Sequence, residues 1–528
     1  MRVIITAFIV AFCSLSCCDI TTEVYAPVNP DGHYILTPPA PASAQIHGAS
    51  LFGVRPGHPF LYSIPATGER PMRYSVKNLP EGLSLCSESG VISGVVKDEK
   101  GSNIEIVLVA ENAFGRDEKP LEIIIGEQIC LTPPLGWNSW NCWGARVTQA
   151  NVEASAQAMY DKGLVNYGWT YINIDDGWQG NVRGGKYHAI QPDKVKFPDM
   201  QAMCDKIHAM GMKVGIYSSP WVTTYAKYIG GSSYTADGAW DRSMIDKKGV
   251  KGADKKWQAI APFRFEANDA KQWAEWGMDY LKYDWYLNDS LSVVRMAKAL
   301  RESGRDIVFS LSNSAPQELA NVCKEYAQVW RTTGDLKDRW SGEGNHKAIC
   351  DVWPIHRSWL DDAFRGSAGH FPDPDMLVVG NVDHGKQMSP SNLTPDEQYS
   401  HISLWSLWSA PLLIGCPIEQ LDEFTLGLLT NSEVLALQQD RLAEAGASVI
   451  YNYEVEIICK RLYGGDIAVG LFNLTDSERE ITIDWQSLGV DRSRRVRDLW
   501  RQRDIGRYNG SFTARVASHG VILVRMSR

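Results

Sequence analysis

No basic block of any length interrupts this sequence, whose 53 lysines and arginines are outnumbered by 62 aspartates and glutamates. That absence excludes a nucleic-acid partner, whose phosphates would need a positive surface, and leaves a neutral or small substrate. Paired CxxC spacing is missing too. Of eleven cysteines, Cys13, Cys17 and Cys18 fall at the N-terminus and the other eight, from Cys86 to Cys459, lie far apart. Neither a zinc site nor a dense disulfide framework is indicated, and no metal or cofactor is expected. Tryptophan is absent before residue 131, although the chain holds 19; seventeen lie between Trp137 and Trp408. The aromatic surfaces therefore belong to the middle of the chain.

With 528 residues, 44% hydrophobic and 10% aromatic, the protein is globular and divides into two or three cored domains. Met1-Arg2 and the apolar run Val3 to Phe12 read as an export signal, too short to span a membrane as a mature helix. The Leu15-Ser16-Cys17-Cys18 stretch resembles a bacterial lipoprotein cleavage site, so residues 1–18 are expected to direct export, with Cys17 or Cys18 as the lipidated residue and a periplasmic or cell-surface location. Residues 19–43 are rich in Pro, Ala and Thr and are expected to be a stiff linker. Short alternating runs between Gly, Pro and Asn turns over residues 44–127 predict a small antiparallel sandwich. Its Leu79-Pro80-Glu81-Gly82-Leu83-Ser84-Leu85 and Gly90-Val91-Ile92-Ser93-Gly94 segments resemble the immunoglobulin-like modules of bacterial surface proteins and glycosidases.

Over residues 131–438, eight strand-like runs alternate with amphipathic stretches. The runs are Pro134–Ser139, Tyr171–Asp176, Lys213–Ser218, Tyr280–Asp284, Ile307–Ser312, Val329–Thr332, Asp375–Val379 and Pro411–Gly415. This is the α/β pattern of a closed (β/α)8 TIM barrel. Residues 440–528 return to short alternating strands and predict a C-terminal antiparallel β-sandwich. Asp175-Asp176, Tyr217, Asp284 and Ser312 close four of the barrel strands, and Arg331 and Asp335 follow the sixth. A barrel gathers all such ends on one face, where catalytic groups sit. The long stretch Pro220 to Pro262 is expected to form a lid or pocket wall there. Converging carboxylates among aromatics suit cleavage of a glycosidic bond, which needs one ionised and one protonated carboxyl group; Asp284 and Asp335 are the candidates.

The motifs Pro133-Pro134-Leu135-Gly136-Trp137-Asn138-Ser139-Trp140, Ile172-Asn173-Ile174-Asp175-Asp176-Gly177-Trp178, Leu281-Lys282-Tyr283-Asp284, Trp330-Arg331 with Asp335, and Asp373-Pro374-Asp375-Met376-Leu377 resemble those of the family-27 glycoside hydrolases, which include α-galactosidases and α-N-acetylgalactosaminidases. The resemblance covers residues 131–528. It implies a retaining, exo-acting α-galactosidase with a galactoside-containing glycan as substrate, Asp284 as nucleophile and Asp335 as acid/base. It further implies that Asp175 and Asp176 accept from the axial 4-hydroxyl and the 6-hydroxyl, that Lys282 and Arg331 hold other ring hydroxyls, that Trp137 offers an apolar face, and that Tyr217 and Asp375 complete the wall. Lys282 lies two residues from Asp284 on one strand face and is expected to keep Asp284 ionised, while Asp335 stays protonated.

Two departures from the family pattern concern the substrate. Many α-galactosidases of the family have a disulfide-bonded cysteine two residues after the nucleophile; here that position is Tyr286, and Pro220 to Pro262 contains no cysteine. Ser312 and Ala315 fall where members accepting N-acetylgalactosamine have small residues. An α-N-acetylgalactosaminidase, a β-L-arabinopyranosidase, or an inactive glycan-binding barrel are the alternatives.

Overall fold

Alternation along Tyr280–Asp284 sets the centre of the fold, because side chains of successive strand residues face opposite ways. Leu281 and Tyr283 pack outward into the core, while Tyr280, Lys282 and Asp284 face the other side. We describe a computed structural model covering residues 20–28, 34–97, 101–241, 258–344, 346–382 and 387–528. The barrel strands are Leu135–Asn138 (β1), Tyr171–Asn173 (β2), Lys213–Ser218 (β3), Tyr280–Asp284 (β4), Val308–Ser312 (β5), Val329–Arg331 (β6), Phe371–Asp373 (β7) and Leu412–Ile414 (β8). All eight pair in parallel, in the order β7-β6-β5-β4-β3-β2-β1-β8. Leu377, just past β7, bridges in parallel to Ile414 of β8, its amide donating to the Leu413 carbonyl at 2.8 Å, and so closes the ring.

The seventh strand departs from the expected Asp375–Val379. Asp375 has φ = 100°, a conformation no strand residue adopts, so the ladder stops before it. The apolar run Met376 to Val379 is buried beside β8, and its apolar character mimics a strand.

Helices Gln149–Asp161 (α1), Met200–Ala209 (α2), Glu266–Trp276 (α3), Ser290–Arg301 (α4), Ala320–Tyr326 (α5), Ile349–Ser358 (α6), Pro395–Leu407 (α7) and Glu423–Leu429 (α8) complete the eight units. Their starts are written locally. Thr148 accepts from the Asn151 amide to cap α1, and Thr394, Glu397 and Pro395 form a capping box with proline in the first turn of α7.

The immunoglobulin-like module is a sandwich of Leu51–Val54, Gly115–Ile125, Asn103–Asn112 and Arg73–Lys77 against Pro59–Ser63, Val91–Val95 and Leu83–Leu85. It sits against the N-terminal ends of the barrel strands. Asp306 accepts from the Arg55 amide at 2.9 Å and its guanidinium at 3.1 Å, with His58 Nδ1 at 2.8 Å. The Lys213 ammonium lies 4.9 Å from the centre of the Phe52 ring. A barrel-floor layer of Tyr171, Tyr280, Val308 and Val329 packs with Ile129 above this contact.

After α8 the chain forms a six-stranded antiparallel sheet from Ala447–Tyr451 to Val521–Ser527, joined by the Arg479–Asp484 and Ser511–Val516 pair. Its apolar faces enclose Ile457, Leu471, Ile483, Phe512 and Val524. The segment expected to be a linker does not stand free. Ile20 and Tyr25 bridge in parallel to Arg507 and Ala514, Tyr25 donates to Asp498 at 2.6 Å, and Thr37 donates to the Gly427 carbonyl at 2.7 Å. The backbone at Thr21 and Tyr25 found an existing sheet edge, and the Tyr25 ring is buried against it. Residues 1–18, expected to carry the export signal, lie outside the described residues. The eight cysteines from Cys86 onward are free thiols.

Candidate active site

Register places the polar groups of neighbouring strands side by side at one end of the barrel. Tyr217 of β3 pairs with Lys282 of β4, and Asp284 pairs with Ser312 of β5; Arg331 of β6 pairs with Asp373 of β7. Asp284 is buried, and both of its oxygens are held: the Tyr217 hydroxyl donates to Oδ2 at 3.0 Å and the Asn313 amide to Oδ1 at 2.5 Å. Asn313 was not singled out in the sequence. It and Ser314 have φ of 69° and 55°, so the chain doubles back after β5 and returns the amide to β4. The available signal was an Asn-Ser pair at a strand end, since asparagine tolerates the left-handed region. Asn288 ties the same two strand ends, donating to the Trp285 carbonyl at 2.7 Å and the Ser312 carbonyl at 3.2 Å.

Lys282 is engaged with Asp175 rather than with Asp284. Its ammonium donates to Asp175 Oδ2 at 2.7 Å, where the Asn138 amide also donates at 2.9 Å. Burial depresses the Lys282 ammonium, yet the Asp175 and Asp284 charges outweigh it and leave the group held firmly charged. At Asp284 burial wins over the Lys282 charge, and with Asp335 and Asp175 nearby its pKa is pushed up to about 6. The Lys282 charge lowers the Asp284 pKa as expected, but burial outweighs it, so Asp284 is ionised at neutral pH and takes a proton below about 6.

Asp176 faces the long loop. Its oxygens accept from the Thr224 hydroxyl at 2.9 Å and the Ala226 amide at 2.7 Å, which makes the described part of the Pro220–Pro262 stretch a pocket wall pinned by this carboxylate. Burial first, then the Asp175 and Asp284 charges, push Asp176 up to about 7 against those two bonds. Gly177 permits the turn that follows: its φ is 112°, and a Cβ there would come within 2.8 Å of the Ala145 Cα.

Asp335 differs from Asp284 in exposure. Its side chain is 49% exposed and meets Arg331 Nη2 at 3.5 Å, whereas the Arg331 side chain is 5% exposed. Partial burial pushes Asp335 up, but Arg331, Lys282 and His346 hold it below the usual carboxylate range. In the unliganded protein the proton-rich member of the pair is thus Asp284 and not, as expected, Asp335. The reason is that the nearby cations gather around Asp335 and the low dielectric around Asp284. Asp375 is a support for Arg331, pairing with it at 2.6 Å and accepting from the Leu336 amide at 2.7 Å.

Of the predicted site residues, Asp175, Asp176, Tyr217, Lys282, Asp284, Ser312, Arg331, Asp335 and Asp375 converge on this face. Trp137 is beside them but has no exposed surface, and its indole donates to the Cys416 carbonyl at 2.9 Å. It presents no open face in this structure.

Residues 132–241 and 247–440 match the model of the α-galactosidase A family, residues 452–526 that of the α-galactosidase C-terminal β-sandwich domain, and residues 42–126 that of an Ig domain. The chain is 33% identical over 395 residues to the α-galactosidase of Cyamopsis tetragonoloba, covering 74% of this chain and 84% of that one. A Bacteroides fragilis crystal structure, provisionally assigned as an α-galactosidase, is 31% identical with a TM-score of 0.80, covering 92% of this chain and 98% of that one. A family-27 β-L-arabinopyranosidase from Geobacillus stearothermophilus is 27% identical with a TM-score of 0.64, covering 75% and 97% of the two chains. With the barrel, its strand-end carboxylates and both flanking sandwiches in agreement, the chain belongs to the family-27 glycoside hydrolases and is a glycoside hydrolase with an N-terminal immunoglobulin-like module.

Proposed function

We propose that the protein is a retaining, exo-acting α-galactosidase that removes terminal α-galactosyl residues from a glycan by double displacement. The observation that carries this reading is the contrast between two facing carboxylates: Asp284 is buried and gripped on both oxygens, while Asp335 is half-exposed beside Arg331. A nucleophile must be aimed and must not rotate. A proton donor must meet the leaving oxygen, which lies on the solvent side of a terminal sugar. Asp284 attacks the anomeric carbon as Asp335 gives its proton to the departing oxygen; Asp335 then takes a proton from the water that releases the sugar. A bound sugar excludes water from Asp335 and places it against the Asp284 charge, which raises the Asp335 pKa toward the value its role needs.

Asp175 and the Lys282 ammonium form a fixed polar edge for ring hydroxyls, and Arg331 a second one. Export as a lipoprotein through Cys17 or Cys18 is part of the same proposal and rests on the N-terminal sequence alone.

Hydrolysis of p-nitrophenyl α-galactoside followed by NMR tests the reading: α-galactose formed first supports retention, and β-galactose formed first overturns it. A second reading, α-N-acetylgalactosaminidase, is favoured by Ser312, directly across the ladder from Asp284, with Ala315 beyond it, because two small side chains leave room next to the reacting centre. The same assay with α-N-acetylgalactosaminides and β-L-arabinopyranosides ranks the three sugars by kcat/KM.

A further inference from the structure

Asp335 is placed by its backbone more than by its side chain. The half-exposed carboxyl meets Arg331 Nη2 at 3.5 Å, the long limit of a hydrogen bond, whereas Asp284 is gripped on both oxygens. The chain that follows Asp335 is tied down step by step. The Leu336 amide donates to Asp375 at 2.7 Å and the Lys337 amide to the Lys347 carbonyl at 2.8 Å. Asp338 accepts from the Asn392 backbone amide at 2.8 Å and from its side-chain amide at 2.7 Å. The segment ends in Trp340, a buried ring whose carbonyl accepts from the Cys350 amide at 2.9 Å.

The face of Trp340 is covered by the C-terminal sandwich. His519 stacks on it with ring centres 4.7 Å apart and planes 18° from parallel, while Trp353 meets Trp340 edge-on at 6.1 Å. His519 lies just before the last strand of the sandwich, at a φ of 54°, and is itself fixed from several sides. Its Nδ1 lies 2.7 Å from Glu397, the buried carboxylate of the α7 capping box, and its Nε2 lies 3.0 Å from Asp476. The Ser400 hydroxyl of α7 donates to its carbonyl at 2.6 Å. Asp476 is 98% exposed, so its contact is screened by water and the bond to Glu397 sets the ring's orientation. The imidazole is thereby anchored on a barrel helix and laid against the chain that carries Asp335.

We propose that His519 is a positioning residue: through its stack on Trp340, the C-terminal sandwich fixes the backbone that presents Asp335 to the leaving oxygen. This rests on the proposed acid/base role of Asp335. A proton donor works only within hydrogen-bond reach of the atom it protonates, and a misplacement of about 1 Å can lower a rate on the order of 100-fold. Asp284 takes its own placement from Tyr217 and Asn313. Loosening the stack should therefore spoil proton donation and spare the attack.

The test reads kcat/KM, which reports the step in which Asp335 acts as acid, on two α-galactosides. The methyl glycoside needs its leaving oxygen protonated; the dinitrophenyl glycoside departs without a proton. In His519→Ala, kcat/KM for the methyl glycoside should fall about tenfold or more while that for the dinitrophenyl glycoside holds within about twofold, the latter also reporting that the folded site is intact. Equal losses on both would make His519 a residue of the fold alone, and no loss on the methyl glycoside would make Asp335 independent of the stack; either overturns the proposal. If His519→Ala is too unstable to assay, His519→Gln, which keeps an amide donor for Glu397 but not the stacked ring, is read by the same ratio. Asp335→Ala sets the scale and should show the same split, larger; without that split Asp335 is not the proton donor, and the positioning role falls with it. Should the wild-type enzyme cleave neither galactoside, the galactoside reading alone falls, and the ratio is read on the methyl and dinitrophenyl glycosides of the sugar it does cleave.

Discussion

Asp279 and Asp284 stand at opposite ends of one barrel strand, are buried alike at 5% and 6% exposure, and carry opposite electrostatic burdens. At the floor, Asp279 accepts from the Arg305 guanidinium at 2.7 and 3.1 Å and from the Val214 amide at 3.0 Å, with His208 Nε2 at 2.8 Å. Burial pushes its carboxyl up, but His208 and Arg305 outweigh it and the pKa ends below the usual range. At the catalytic face Asp284 has, among the described residues, two neutral hydrogen-bond donors, and burial outweighs the Lys282 charge to push its pKa up to about 6. Burial alone does not separate the structural carboxylate from the proposed nucleophile; the partners do. A cation placed on the carboxylate locks the fold, and a cation placed on its neighbour leaves the carboxylate basic enough to work.

The most forceful way to break this contrast is Asp284→Asn. Activity should drop about 10⁴-fold or more, measured as kcat on an α-galactoside; residual turnover near wild type would remove Asp284 from the chemistry. Stability should move the other way. A carboxyl whose folded pKa is raised stabilises fully below the unfolded value of about 4 and loses that contribution as pH rises through about 6. The variant should therefore exceed wild type by about 3 kcal/mol at pH 8, with the gap closing toward pH 4 in denaturant titrations.

Asp279→Ala should do the reverse, costing about 3–5 kcal/mol by stranding buried Arg305, while the folded fraction keeps its kcat. Asp279 contributes its stability above about pH 4, and this is lost as pH falls through its lowered folded pKa. Wild type and variant should then converge in acid; a constant difference down to pH 2 would contradict the pairing.

Asn313→Ala sharpens the comparison from the active end. Loss of one donor to a charged oxygen should lower kcat about 10–100-fold and move the acidic limb of the kcat/KM profile above about 6, because the ionised form loses a partner. An unmoved limb would show that Asn313 merely packs. The smallest effect belongs to the module contact: Asp306→Asn should cost about 1–3 kcal/mol, visible as earlier melting of the immunoglobulin-like module in calorimetry, with kinetics unchanged.

Seven barrel strands and most of the active-site cluster were legible because they rest on local signals: apolar runs, their spacing, and acids at strand ends. Asp375–Val379 misled for the same reason, since an apolar run carries no mark of the positive φ that precedes it. Asn313, and the pairing of Lys282 with Asp175, depend on how neighbouring strands are staggered, which one strand's sequence does not encode. The floor carboxylates Asp279 and Asp306 escaped notice because their partners Arg55, His58 and His208 are distant in sequence. The reversed ordering of Asp284 and Asp335 came from exposure, a property of the assembled pocket.

The seating of Ile20 and Tyr25 on the C-terminal sandwich turns a leash into a mooring. Unattached, residues 19–43 would give a reach on the order of 80 Å at about 3.3 Å per residue. Tyr25 is instead fastened to Asp498 and Thr37 to the Gly427 carbonyl, so the described residues on either side of 29–33 are held against the folded protein. Ile20 thus lies at the Arg507 edge of the C-terminal sandwich, so the first described residues belong to that domain and not to a free tether.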